Sequence, residues 1–149
     1  MASAAATSVI VVRPALPADR EALSALYRRC RMLAEWLPAP ERARSDFDRD
    51  TNGETIFVAV GEGGVLDGFV ALWEPDSFIH HLYVRPEARR QGVASALLDA
   101  LAEHFPFPWR LKCVRLNSVA LDFYEKRGWK EVGAGKGVQG LYAVLELRR

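Results

Sequence analysis

The residues with the clearest chemical meaning form the run Arg89-Arg90-Gln91-Gly92-Val93-Ala94-Ser95. Residues 77–84, shortly before it, are rich in aromatic and β-branched side chains, which predicts a buried strand. Residues 93–101 place apolar side chains at the spacing of one helical face, so a helix begins near Gly92. The first N–H groups of a helix have no partner within it, and the helix dipole adds partial positive charge there. The turn is therefore suited to hold a diphosphate between Arg89, Arg90 and the helix end, although an ordinary strand-to-helix turn fits the same spacing.

The run Arg89-Arg90-Gln91-Gly92-Val93-Ala94 resembles the Gln/Arg-x-x-Gly-x-Gly/Ala signature of the GCN5-related N-acetyltransferases. The resemblance continues in residues 82–87 and in residues 117–129, which follow in the order of that family. Arg90 is a departure, since many members carry glycine there. The resemblance implies an enzyme that uses acetyl-coenzyme A as its cosubstrate and binds it at this turn. The contacts that it implies are Leu82, Tyr83, Val84, Arg89, Arg90, Gln91, Gly92, Val93, Ala94, Ser95, Asn117, Phe123 and Tyr124.

The remaining elements are predicted from periodicity and turn residues. A strand at residues 9–13 precedes a helix with an apolar stripe from Ala22 to Leu33, and a short charged segment spans residues 41–50. Strands at residues 55–60, 65–73 and 77–84 form an antiparallel meander, and a strand at residues 109–116 lies parallel to the last of them. A helix capped by Asn117 or Ser118 ends at Gly128. Residues 129–132 and 141–147 form a hairpin, and the glycine-rich residues 133–137 between them predict a flexible loop. The fold class is α+β, and the resemblance implies a mixed, mostly antiparallel sheet of about six or seven strands with helices on both faces.

The family resemblance also implies that the strands at residues 77–84 and 109–116 splay apart and admit the pantetheine arm. The main-chain groups of Leu82 and Val84 would then pair with the amides of that arm, as a neighbouring strand would. A main-chain N–H near Leu82 is expected to stabilise the oxyanion. Asn117 is expected to contact the arm, although its position also suits a helix cap.

Acetyl transfer to an amine requires a base, because an alkylammonium with a pKa of about 10.4 is neutral in only about one molecule in 2,500 at pH 7. His80 and His81 are neighbours on a strand, so their side chains point to opposite faces. His80 is expected to share a face with Phe78, Leu82 and Val84 and stands where arylalkylamine-acetylating members of the family carry histidine. We therefore assign His80 as the base, directly or through a water, whereas His81 packs under a helix. Glu74 is the reserve base, and two structural histidines remain the alternative.

Tyr124 lies in the run Phe123-Tyr124-Glu125-Lys126-Arg127-Gly128. Packing alone would explain an aromatic residue there, but a buried hydroxyl needs a partner. The family resemblance implies that Tyr124 lies near the coenzyme sulfur and protonates the departing thiolate. A thiol with a pKa of about 8.5 leaves readily, so Tyr124 is expected to accelerate the reaction modestly.

Length, composition and charge limit the remaining possibilities. The 149 residues carry a net charge of +1 and suit one domain at residues 9–149 after a loose tail at residues 1–8. No partner is expected among nucleic acids or membranes, and the protein is expected to be cytoplasmic. Cys30 and Cys113 have no spacing typical of metal or redox sites and are interpreted as reduced core residues, so no metal is expected.

The acceptor is a small-molecule or peptide amine that the sequence does not identify. Its pocket is expected to form from residues 32–50 and 133–140, with Trp36 either lining it or packing in the core. Two other functions remain open: a catalytically silent acetyl-coenzyme A binder that regulates a partner, and an interaction domain that uses Arg85, Arg89 and Arg90. Homodimers are common in the resembled family, but no residue here indicates one.

Overall fold

The computed structural model describes residues 10–149, so the predicted tail at residues 1–8 and the start of the first predicted strand lie outside the described part. The helices are α1 (Arg20–Met32), α2 (Ala39–Ala43), α3 (Phe47–Asp50), α4 (Val93–Ala102) and α5 (Ser118–Lys126). The strands are β1 (Val11–Pro14), β2 (Thr55–Val60), β3 (Leu66–Trp73), β4 (Phe78–Val84), β5 (Trp109–Val114), β6 (Lys130–Gly137) and β7 (Gly140–Leu147). The α+β prediction is confirmed.

The described strands form one seven-stranded sheet in the order β1-β2-β3-β4-β5-β7-β6. All neighbours are antiparallel except β4 and β5, which are parallel and joined through α4. This is the crossover expected for a strand, a helix and a strand in succession. The crossover sets the N-terminus of α4 at the carboxyl end of β4.

Helices cover both faces of the sheet, as predicted. On one face, Tyr27 and Cys30 of α1 pack against Phe69 of β3. On the other face, Leu97 and Leu101 of α4 and Tyr124 of α5 join a larger cluster that includes Trp109. Both clusters consist of buried apolar side chains, whose removal from water stabilises the fold by about 25 cal/mol per Å². Within residues 10–149, no helix is both long and apolar enough to cross a membrane.

The final hairpin is longer than the sequence predicts. Strand β6 runs through the glycine-rich segment to Gly137, where a flexible loop is expected from the sequence. Gly135 pairs with Tyr142, and a Cβ atom at Gly135 would collide with the tyrosine ring. The glycines therefore let β6 lie against a large side chain of β7, rather than marking a loop.

Candidate active site

The N-terminus of α4 presents an open set of donors. Gly92 precedes the helix with a φ of 84°, and Arg90 has a φ of 62°, a region that non-glycine residues rarely adopt. The first helical hydrogen bond runs from the N–H of Ala96 to the carbonyl of Gly92. Within residues 10–149, no hydrogen bond occupies the main-chain N–H groups of residues 90–95. The geometry therefore fits the anion-binding turn that the sequence predicts.

The side chains around this turn have different roles. Arg90 is exposed, whereas Arg89 is turned back so that its Nε donates to the carbonyl of Val84 at 3.3 Å. Gln91 donates to the carbonyl of Glu87 at 3.2 Å. Arg85 is paired with Asp67 at 2.7 Å, so it is not a free basic group beside Arg89 and Arg90.

Arg127 is a residue of this region that the sequence analysis missed. Its Nη1 donates to Oγ of Ser95 at 2.8 Å, and its Nη2 contacts Asp99 at 3.1 Å. The guanidinium also lies 5.6 Å from the ring centre of Phe123. Arg127 therefore joins α5 to the first turn of α4, and its charge is paired with that of Asp99. The available signal was a basic residue directly before the glycine that ends α5.

Strands β4 and β5 splay apart as predicted. They pair only at Phe78 with Arg110 and at Ile79 with Leu111. The N–H of Arg85 donates to Asp67 of β3, and because the direction of these bonds alternates along a strand, Leu82 and Val84 turn their main-chain groups toward the gap. The carbonyl of Val84 already accepts hydrogen bonds from Arg89 and from Cys30.

Tyr83 differs from its neighbours on β4. Its main chain alternates toward β3, and its ring packs against Tyr27 and Phe69 on the face that α1 covers. Direct contact with an arm that lies in the gap therefore falls to Leu82 and Val84 rather than to the main chain of Tyr83.

The gap opens into a cleft with about 570 Å³ of empty space. The residues that line this cleft come mainly from β4, from β5 and from α5 with its cap. They are Trp36, Ile79, His80, His81, Leu82, Tyr83, Leu111, Lys112, Cys113, Val114, Asn117, Ala120, Tyr124 and Gln139. The structure thus brings His80, Tyr124 and Asn117 to one cavity. Trp36, for which the sequence left two interpretations, is half-buried and lines this cavity.

A β-bulge displaces His80 from the face that the sequence predicts. Ala71 of β3 pairs with His81 and Leu72 pairs with Ile79, so His80 is skipped in the ladder. As a result Ile79, rather than His80, packs with Leu82 and Val84. The shared-face prediction is therefore wrong, because a bulge changes the alternation of side chains. His80 nevertheless lines the cleft and is exposed.

Glu54, which the sequence analysis missed, holds the ring of His80. One carboxylate oxygen of Glu54 contacts Nδ1 of His80, and the other lies 3.8 Å from Nε2 of His81. The Glu54 side chain is 4% exposed, and its Oε1 has no hydrogen-bond partner among the described residues. A carboxylate at Nδ1 favours the tautomer in which Nε2 of His80 carries the free lone pair. Glu74, the predicted reserve base, lies exposed in the turn before β4 and does not line the cleft.

His81 packs under α1, as predicted, and its side chain is 14% exposed. Its ring makes an edge contact with Tyr27 at 5.4 Å, and its Nε2 lies 3.0 Å from the carbonyl of Asp50. Burial lowers the pKa of His81, so the ring is neutral at neutral pH.

Tyr124 is buried against Trp129, with the ring centres 5.4 Å apart. Tyr124 is one of the residues that line the cleft. Within residues 10–149, its hydroxyl has no hydrogen-bond partner. Burial raises the pKa of Tyr124, so the hydroxyl keeps its proton at neutral pH and can donate it. Asn117 caps α5, because its side chain accepts from the N–H of Ala120 at 3.3 Å.

Both cysteines are buried free thiols, in agreement with the sequence interpretation. Burial raises the pKa of Cys30 and raises that of Cys113 to about 11. A thiol with a raised pKa is a poor nucleophile at neutral pH. Cys113 lines the cleft but does not have the environment of a covalent catalyst.

A second cavity shares His81 and Gln139 with the cleft as lining residues. The other residues that line it are Tyr27, Arg31, Glu41, Arg44, Arg49, Asp50 and Val138. They come from α1, from the segment between α1 and β2, and from the turn between β6 and β7. The two segments that the sequence predicts to form an acceptor pocket therefore do meet at one cavity.

Comparisons with known proteins agree with this geometry. The model of the acetyltransferase (GNAT) family matches residues 20–129, which include the α4 turn, the splayed strands and α5. A peptidyl-lysine N-acetyltransferase of Escherichia coli, YiaC, is 32% identical over 68 residues, which are 46% of this chain. The aligned region spans only 45% of the length of that relative.

Solved structures share the fold along nearly the whole chain. A GCN5-related N-acetyltransferase from Rhodopseudomonas palustris superposes with a TM-score of 0.76 at 22% identity, covering 93% of this chain and 94% of the other. A phosphinothricin acetyltransferase from Sinorhizobium meliloti, solved in complex with acetyl-coenzyme A, gives 0.69 at 20% identity and covers 93% and 87%. Because the family model spans most of the chain and the splayed sheet carries the predicted turn, this protein belongs to the GNAT acetyltransferase family.

Proposed function

We propose that the protein transfers an acetyl group from acetyl-coenzyme A directly to a primary amine, in a ternary complex of both substrates. The observation that carries this proposal is the cleft between β4 and β5, which joins the Glu54–His80 pair to the Tyr124 hydroxyl. A base and an acid are the two groups that amine acetylation needs, and both face the same cavity. Membership of the GNAT family supports acetyl-coenzyme A as the donor.

The residues at the α4 turn fit the diphosphate of the coenzyme. The free N–H groups of residues 90–95 offer donors, Arg90 supplies positive charge, and Gly92 leaves the main chain accessible. The main-chain groups of Leu82 and the N–H of Val84 fit the amides of the pantetheine arm. The thioester of the coenzyme supplies an activated acetyl group.

The proton movements follow from the cleft. His80 accepts a proton from the amine at Nε2, while Glu54 stabilises the positive charge that forms on the ring. Without a base, the unfavourable ionisation of the amine would add about 4.6 kcal/mol to the barrier. A main-chain N–H near Leu82 would stabilise the carbonyl oxygen as negative charge develops on it. Tyr124 donates its proton to the sulfur as the carbon–sulfur bond breaks.

The test is a steady-state assay of coenzyme A release over a broad panel of amines, together with calorimetric titration of acetyl-coenzyme A. Turnover with intersecting lines in double-reciprocal plots supports direct transfer, whereas parallel lines would indicate a covalent acetyl-enzyme and contradict it. Tight binding of acetyl-coenzyme A without transfer to any amine would favour the alternative of a silent regulatory binder. Absence of binding would remove both functions.

A further inference from the structure

The second cavity contains a buried arginine with no acidic partner. Arg31 of α1 is 5% exposed and lines this cavity. Its Nε donates to Oγ of Ser45 and its Nη2 to the main-chain carbonyl of Glu41, both at 2.8 Å. Within residues 10–149, no carboxylate oxygen lies within 4.0 Å of its guanidinium, so neither hydrogen bond neutralises its charge.

The other charges of the cavity are paired with each other. Asp50 accepts from the Tyr27 hydroxyl at 2.7 Å and from Nε of Arg49 at 3.0 Å. Burial alone would raise the pKa of Asp50, but these hydrogen bonds lower it overall, so the carboxylate stays ionised and balances Arg49. Glu41 faces Arg44 at 3.9 Å. Among the residues that line the cavity, three arginines therefore meet two carboxylates, and Arg31 is the arginine that has no carboxylate partner.

A buried charge without a counter-charge is costly, and an anionic ligand would remove that cost. The guanidinium is a planar fork that matches a carboxylate with two parallel hydrogen bonds. The cavity shares two lining residues, His81 and Gln139, with the catalytic cleft. A molecule that extends past these two residues would present one end to Arg31 and the other to His80.

We propose that the acceptor is a small amine that also carries a carboxylate, and that Arg31 binds this carboxylate while His80 receives the proton of the amine. The inference rests on the proposed acetyl transfer and specifies its substrate class. A lysine side chain within a peptide has no free carboxylate at a fixed distance from its amine. It would leave the charge of Arg31 unpaired.

The test compares α-, β- and γ-amino acids with their carboxamides, which differ from them by one charge at nearly the same size. Coenzyme A release is measured for each pair, and kcat/KM is expected to favour the carboxylate at least tenfold for the best pair. In Arg31→Gln the ratio should fall to about one, because the carboxylate loses the group that binds it. A purely structural role of Arg31 would lower both members of a pair equally.

Two further variants serve as controls. Arg29→Gln removes an exposed arginine of the same helix that pairs with Glu87, outside both cavities, and should keep the preference. Arg31→Lys keeps the charge but not the fork, so a reduced preference is expected even where Arg31→Gln folds poorly. Equal rates for carboxylates and carboxamides in the unsubstituted protein would overturn the inference, whatever the variants do.

Binding separates this inference from the proposed function. The amino acids of the panel should raise the melting temperature of the unsubstituted protein, and of Arg29→Gln, but not that of Arg31→Gln. Such binding without any acetyl transfer would remove the proposed function and leave the anion site intact. Acetyl transfer to carboxamides and plain amines alone would support the proposed function and remove the anion site. If the amino acids neither bind nor are acetylated, and no other amine is acetylated, both the inference and the proposed function are rejected.

Discussion

The carboxylate of Glu54 contacts Nδ1 of His80, although the two residues are 26 positions apart in sequence. Glu54 directly precedes β2 and His80 belongs to β4, and these two strands are not neighbours in the sheet. Trp73 and the rest of β3 lie between these strands in the sheet, so the contact forms only at its end. The bulge at His80 makes it possible, because it frees the ring from the alternation of β4. A histidine oriented in this way has one nitrogen fixed and the other available to a substrate.

This pair predicts coupled effects on turnover. His80→Ala should lower kcat by about 100-fold and Glu54→Gln by about 10-fold, because general base catalysis typically contributes 100-fold or more. The double variant should be no slower than His80→Ala, since Glu54 acts through the ring. The affinity for acetyl-coenzyme A, measured by calorimetry, should not change. His104→Ala removes an exposed histidine outside the cleft and should have normal kcat; equal losses in His104→Ala and His80→Ala would refute the assignment.

Tyr124→Phe should reduce kcat by about tenfold without destabilising the fold. The hydroxyl has no hydrogen-bond partner in the described structure, so its removal breaks no internal contact, whereas the thiolate loses its proton donor. Turnover and thermal unfolding are measured on the same sample. Tyr142→Phe, on β7, provides the comparison and should keep full activity. A variant of Tyr124 with full activity but lower stability would reveal a packing role instead.

Gly92→Ala should weaken acetyl-coenzyme A binding by about tenfold. Gly92 has a φ of 84°, a conformation that costs other residues about 1–2 kcal/mol, so the turn would relax away from its open form. Gly64→Ala is the matched control: Gly64 has a φ of 80°, no atom lies within 4 Å of a Cβ atom there, and the cleft does not include it. Both variants should lose similar stability in thermal unfolding, but only Gly92→Ala should show a higher Kd by calorimetry. A similar loss of affinity in both would assign the effect to general destabilisation.

Stability should fall in weak acid because of His81. Burial lowers the pKa of His81 below its usual value of about 6.5, so the unfolded chain binds a proton at a pH where the folded protein does not. The free energy of unfolding therefore decreases as the pH falls below about 6.5. His81→Gln should reduce the difference in melting temperature between pH 7.5 and pH 5.5, and His104→Gln should not. An unchanged difference in His81→Gln would show that other groups cause the acid sensitivity.

Periodicity predicts most of the fold because the relevant signals are local. Strand β2 was predicted with its observed ends, and α4, α5 and the meander were placed within a few residues, since their apolar residues repeat at a regular spacing. The exception is β6, where glycines were interpreted as a loop. The structural role of these glycines depends on the pairing with β7, where Gly135 faces the ring of Tyr142.

The candidate site was predictable only in part. Residues that belong to a contiguous turn, such as Arg89 to Ser95, carry a signal in their own spacing. No such signal marks Glu54, Arg127 and Arg31. Each of them acts through a partner that is distant in sequence or through a main-chain carbonyl. The face of His80 could not be derived either, because a single skipped residue reverses the alternation on which such a derivation depends.

The short pairing between β4 and β5 has a mechanical consequence. Two residue pairs are the whole seam between a four-stranded half and a three-stranded half of the sheet. A molecule that fills the gap would contact both halves along its length and would hold them together. The empty protein should therefore exchange amide hydrogens fastest along this seam, and the loaded protein should unfold as a more cooperative unit.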